Sequence, residues 1–168
     1  MGPINPLAAA EYAELSERHG FITDQLSDLE ASRDELRRVI HALDAGALVR
    51  PEHLAHAQSR LPPRVLVRTC TQAVVDRWVD DFSAFAPETL EWLADRGVRL
   101  VGIDTASVDP AASKTLDAHQ VLRRRDLRVL ENLVLDEVPE GDYELIALPL
   151  KLMEADASPV RAVLRELP

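Results

Sequence analysis

Four short apolar runs, each closed off by turn or helix-breaking residues, constrain this chain more than any other feature. They are Arg64–Arg68 (RVLVR), Val98–Ile103 (VRLVGI), Leu127–Leu135 and Tyr143–Leu150 (YELIALPL). Such runs are too short for buried helices and read as strands, RVLVR and VRLVGI as buried ones. Between them lie amphipathic segments of helical spacing. Pro87–Arg96 (PETLEWLADR) presents Leu90, Trp92 and Leu93 and stops at Gly97, and Thr115–Arg125 forms a second short helix. Pro139-Glu140-Gly141-Asp142 makes a turn, and Ser158-Pro159 caps a closing helix, VRAVLREL. Strands alternating with helices predict an α/β protein, a layered mixed β-sheet with flanking helices. With 168 residues, 46% of them hydrophobic, the chain can enclose one substantial core.

The first part follows a different period. After a short lead, Pro6 can open a helix. Core-type residues then recur at steps of four and three: Ala8, Tyr12, Leu15, His19, Ile22, Leu26, Leu29, Arg33, Leu36, Ile40 and Leu43. Unbroken heptads predict a long N-terminal helix of about 37 residues within the coiled-coil-like segment 1–45, near 55 Å in length at 1.5 Å per residue. Such a helix cannot bury its stripe alone; it folds back near Gly20, pairs with another copy, or lies on the domain that follows. Gly46 ends the pattern, Leu48–Pro51 forms an extended joint, and PEHLAHAQSRL reads as a short helix from Pro51 to Leu61. His53 and His56 lie three apart there, a spacing that presents two ligands from one face or simply marks a wet surface helix.

A formal net charge of −10 disfavours a nucleic-acid surface. The run Arg123-Arg124-Arg125 reads as a solvated face or ion-pair strip rather than a phosphate site. Cys70 is the single cysteine, which excludes a disulfide framework, points to the cytoplasm, and suggests a buried structural thiol. No stretch approaches the ~18 apolar residues of a membrane span. Trp78, Phe82 and Phe85 read as packing before they read as a substrate box.

Two polar residues stand inside apolar surroundings, His119 and Glu131. In one continuous helix their separation would be about 18 Å, too far to share an ion. A turn near Arg125-Asp126 changes that, because a returning strand puts Val129, Glu131 and Leu133 on one face, toward His119. Imidazole nitrogen and carboxylate oxygen suit a zinc-type ion; a buried His–Glu pair is the alternative.

Two resemblances extend these readings. Pro3-Ile4-Asn5-Pro6-Leu7-Ala8 and Phe21-Ile22-Thr23-Asp24-Gln25-Leu26 resemble the start of the C-terminal coiled-coil arm of bacterial SMC chromosome-segregation ATPases, with none of that family's nucleotide motifs. From about Val39 to Pro168 the chain resembles the bacterial kynurenine formamidases, of the cyclase-like metal-dependent amidohydrolases. The segments that carry this are Pro62–Thr69, Ala86-Pro87-Glu88-Thr89, Gly102-Ile103-Asp104-Thr105, Asp109-Pro110, Ser113–His119, Leu130-Glu131, Gly141–Lys151 and Asp156–Leu164.

The second resemblance implies a cyclase-like swivelling β/α fold, truncated here, over residues 46–168. It implies hydrolysis of N-formyl-L-kynurenine to kynurenine and formate in tryptophan breakdown, by a metal pair, usually zinc, that supplies hydroxide at neutral pH. His119 and Glu131 match the family's two downstream metal ligands. The family's upstream motif, His-x-Gly-Thr-His-x-Asp-x-Pro-x-His, is absent from this sequence, and His41, His53 and His56 lack its context. Two ligands fall short of the three that catalytic zinc takes from a protein. The expectation is therefore a formamidase-like hydrolase, impaired or inactive as an isolated chain, with its catalytic residues unassigned. N-formylkynurenine is its expected small-molecule partner, and a homo-oligomer is expected. The alternatives are a non-catalytic dimerisation protein, pairing through the heptads, or a fused gene remnant whose two parts meet inside RRVIHALD.

Overall fold

The computed structural model describes residues 46–55 and 61–167 in full and the backbone of 36–40. Its strands are β1 (Leu36–Ile40), β2 (Leu48–Val49), β3 (Arg64–Arg68), β4 (Ala84–Phe85), β5 (Leu100–Ile103), β6 (Arg128–Leu130), β7 (Asp142–Ile146) and β8 (Val163–Glu166). The helices are α1 (Pro87–Asp95) and α2 (Asp117–Arg125), and a 3₁₀ turn spans Pro51–Leu54. Six strands form one mixed sheet in the order β6-β5-β3-β1-β7-β8, and β2 pairs with β4 beside it. β6, β5, β3 and β1 run parallel to their neighbours; β7 and β8 continue antiparallel.

The pleat divides the apolar runs between two cores. Val65 and Val67 of β3, with Val101 and Ile103 of β5, join the core roofed by α1, α2, β2 and β4. Leu66 points to the other face, among Leu133, Leu135, Tyr143 and Leu145. Gly102 faces that side too: a Cβ there would lie 2.4 Å from Leu66 Cδ2 and 2.7 Å from Leu133 Cδ1, so only glycine lets these leucines close over the strand.

α1 begins with Pro87 in its first turn and buries Thr89, Leu90 and Leu93. The Thr89 hydroxyl donates to the Val49 carbonyl at 2.7 Å, which pins the helix to β2. Gly97, at φ +88°, takes the left-handed conformation that ends it. The arginine run is an ion-pair strip between helices, as its composition suggests: Arg124 pairs with Glu91 at 2.5 Å, and Arg125 pairs with Glu91 and Asp95.

Several expected elements differ: the strand expected over Tyr143–Leu150 ends at Ile146, and the helix expected from Pro51 is a 3₁₀ turn that stops at Leu54. The heptad helix does not extend through Leu36 and Ile40, which lie in β1, register-paired with Arg64 and Arg68 of β3. There the hydrogen-bonding of a mid-sheet position overrides the local three-four spacing. The seam from Ala8 to Arg33 lies outside the described residues, as do Leu43, His41 and His56. The closing helix VRAVLREL is instead an edge strand, β8. Its period-two pattern puts Ala162 and Leu164 against the second core while Arg165 forms a cross-strand ion pair with Glu144. The expected strand Leu127–Leu135 shortens to Arg128–Leu130, since Asn132 turns left-handed at φ +57° and breaks the ladder.

Leu90 is fully buried between α1 and the sheet. Leu90→Ala should lower the unfolding free energy by about 2–5 kcal/mol, read as an earlier midpoint in urea with little change in slope.

Candidate functional site

α2 opens without a local cap: the preceding residue, Leu116, is left-handed and offers no side-chain acceptor. The helix's free N–H groups find an acceptor ten residues upstream instead. Asp109, 3% exposed, accepts from Ala118 N at 2.8 Å and from His119 N at 3.0 Å. A carboxylate at a helix N-terminus is favoured by both hydrogen bonding and the helix dipole. The same carboxylate lies 2.6 Å from His119 Nδ1. A carboxylate is an acceptor only, so this contact assigns the imidazole proton to Nδ1 and leaves the Nε2 lone pair free.

That free nitrogen faces Glu131. His119 Nε2 and Glu131 Oε1 are 3.8 Å apart, too long for a hydrogen bond. Ligand bonds of about 2.0–2.2 Å put two donors on one ion at separations up to roughly 4 Å, so the spacing suits a shared cation. Glu131 follows β6, and its Oε1 also accepts from Val108 N at 2.9 Å. The Val108-Asp109 corner therefore positions both donors, one through each residue. The two side chains keep partial exposure, 39% for His119 and 28% for Glu131, so the site opens to one side. The returning chain thus brings together the two residues that the sequence singles out, although Glu131 sits just beyond the strand rather than within it.

The donor set fits one side of a metal centre. An imidazole whose second nitrogen is held by a buried carboxylate is the usual arrangement of a metal-binding histidine. It does not complete a catalytic centre: among the described residues no group of three His, Cys, Asp or Glu side chains could hold a metal ion. His53 is committed elsewhere, its Nδ1 accepting from Arg50 N at 3.0 Å within the 3₁₀ turn.

A second buried carboxylate lies at the end of β5. Asp104 accepts from Thr69 N and Cys70 N at 2.9 Å and from the Thr69 hydroxyl at 2.8 Å, locking the end of β3 to the end of β5. Burial, reinforced by the charges of Asp104 and Asp136, pushes the Cys70 thiol up, against the pull of its Thr69 hydrogen bond. Cys70 is thus a neutral, half-buried thiol, as its surroundings in the sequence suggest. Of the aromatic residues read as packing, Phe82 and Phe85 are buried, at 9% and 1%, whereas Trp78 is 65% exposed. It stands beside a cavity of about 570 Å³ whose wall includes Asp104, Thr105 and Asn132.

Comparison with known proteins matches this architecture to one family. The family model described as Cyclase matches residues 26–110, just over half of the chain, and the chain belongs to that family. It is 72% identical over 130 residues to the kynurenine formamidase of Bordetella pertussis, and 70% identical over 130 residues to that of Delftia acidovorans. Each match covers 77% of this chain and 62% of the relative, so the chain spans less than two thirds of these relatives' length. A solved structure titled a potential metal-dependent hydrolase with cyclase activity superposes with a TM-score of 0.71 at 28% identity, over 83% of this chain and 69% of that one. An isatin hydrolase bound to a product analogue shares the fold, with a TM-score of 0.64 at 20% identity over 80% of this chain and 60% of its own.

Asp109 enters the sequence reading only within the Asp109-Pro110 segment of the family resemblance, because its partners lie nine and ten residues away. Asp109→Asn should lower stability by about 1.5–3 kcal/mol, the range for hydrogen bonds to a charged group. It should also move His119 from the Nδ1–H tautomer toward a mixture, measured from imidazole ¹⁵N shifts in metal-free protein.

Proposed function

We propose that this chain carries the downstream half of a kynurenine formamidase-type centre, for hydrolysis of the formamide of N-formyl-L-kynurenine to kynurenine and formate. The observation that carries the reading is the convergence of His119 Nε2 and Glu131 Oε1, with Asp109 behind the imidazole, in a chain 72% identical to relatives of that name. Zinc is the metal that the donors favour, and when bound it supplies hydroxide at neutral pH. The chain's own residues hold their side of that ion: Asp109 orients His119, and Val108 N fixes Glu131. Among the described residues two donors leave the centre short of ligands, and on this reading hydrolysis by the isolated chain is impaired. The single cysteine agrees with a cytoplasmic setting.

The test is kynurenine formation from N-formyl-L-kynurenine with and without zinc, alone and with a polypeptide carrying the His-x-Gly-Thr-His motif. The isolated chain should run on the order of 100-fold or more below a full-length relative, given the losses typical of a disturbed metal site. The supplied motif should raise the rate, and His119→Ala should abolish that gain. No kynurenine in any arm rejects the hydrolase reading; full activity of the chain alone rejects the impairment.

Residues 1–35 carry a separate proposal, self-association through the heptad positions Ile22, Leu26 and Leu29, each worth roughly 1.5–3 kcal/mol when fully buried. Light scattering should show an oligomer that Leu29→Asp dissociates. A monomer at every concentration removes this second role.

A further inference from the structure

The apolar sequence of β7 runs on past the point where its ladder stops. The last rung joins Ile146 to Val163 of β8, yet Ala147, Leu148, Leu150 and Leu152 follow. Tyr143, Leu145 and Ala147 alternate toward the second core. Leu148, Leu150 and Leu152 keep the same period of two on the other positions, and each is about half exposed. Met153, next in the chain, is 82% exposed. More than half of the large apolar residues exposed among the described ones lie between Leu148 and Leu167, so the exposure is concentrated rather than scattered. A strand that is apolar on both faces is made to be covered on both.

Residues 147–162 form neither helix nor strand, a longer irregular span than connections in compact domains normally take. The span is tied down all the same. Leu150 N donates to the Ser158 hydroxyl oxygen at 3.1 Å, and Leu152 N donates to the Leu150 carbonyl at 2.8 Å. The leucines are therefore presented by an anchored backbone, and an anchored apolar strip in water marks a contact with another polypeptide.

The proteins that share the fold indicate what covers it. Only 62% of the Bordetella pertussis relative matches this chain, so more than a third of its length lies outside the match. The metal-dependent hydrolase structure also extends beyond the shared part, which is 69% of it. Leucines at a period of two pack best on further strands with an apolar face of the same period. We propose that Leu148, Leu150, Leu152 and Met153 form the docking strip for a polypeptide equivalent to that unmatched part, supplied in trans. The inference rests on the hydrolase reading for the identity of the partner and deepens it, since it names where the segment bringing the remaining metal donors attaches. Docking itself needs neither metal nor turnover.

The test is co-expression of the full chain with a tagged polypeptide made of the unmatched residues of the Bordetella pertussis relative, followed by calorimetric titration of the two purified parts. A one-to-one complex is expected, with slower amide exchange at Leu148, Leu150 and Leu152. Leu150→Asp and Leu152→Asp should each weaken it at least tenfold, the effect of losing one buried leucine, while the thermal transition of the chain alone stays unchanged. Absence of a complex in both formats overturns the proposal, as does a complex that both variants leave intact. A chain that instead pairs with itself through this strip, its dimer lost in Leu150→Asp, overturns it by giving the strip a different occupant. A complex that forms but releases no kynurenine from N-formyl-L-kynurenine with zinc would reject the hydrolase reading and leave the docking in place. Hydrolysis restored in a complex indifferent to both variants would do the reverse.

Discussion

The arrangement depends on one buried carboxylate, that of Asp109. It supplies the cap that α2 lacks locally, and it fixes both the tautomer and the direction of His119. A buried charge is tolerated only when fully hydrogen-bonded, and three donors converge here on two oxygens. Loss of any one would leave the others to carry a desolvated anion. Helix position and imidazole orientation are therefore coupled: the first turn of α2 cannot shift without moving the Nε2 lone pair away from Glu131.

Asp104 does the corresponding work at the other end of the same loop. Between them, the segment that leaves β5 holds the end of β3 through Asp104 and the start of α2 through Asp109, and its Val108 N–H reaches Glu131 beyond β6. β3, β5 and β6 are parallel, so Thr69 and Cys70, Asp104 and Thr105, and Glu131 and Asn132 all emerge at one edge, the carboxyl ends of the strands. Ligand sites of open α/β sheets form at that edge, where loops diverge and backbone groups are left without ladder partners. Both the donor pair and the cavity lie there.

Much of this was legible in the residues. RVLVR is a strand with the bounds its apolar run suggests, and PETLEWLAD is a helix because Pro87 and Gly97 punctuate it and Leu90 and Leu93 share a face. His119 and Glu131 stood out because polar groups among valines and leucines need a reason to be there. The two segments expected as helix and found as strand share one cause. LRRVI and VLRE satisfy a helical period over so short a window that the sheet decides, one segment entering its middle and the other its edge. Asp109 was legible only as part of a matching segment, because its capping role depends on a loop that brings it to the helix from nine residues upstream. Trp78 was read as packing because aromatic residues usually pack; only its exposure beside the cavity separates it from Phe82 and Phe85.

The chemistry of the half-site follows from how local its supports are. Every hydrogen bond described as fixing His119 and Glu131 originates between Val108 and His119 in the chain. The β6 strand that delivers Glu131 is paired to β5, immediately before that segment. Residues Leu100–Asn132 thus contain both donors and the contacts that aim them. Hydrogen bonds behind a ligand commonly orient it toward a metal, and here a buried carboxylate and backbone contacts perform that placement. The free energy of orienting two donors is met within the fold, and the affinity of the centre then turns on how many further donors reach the same point.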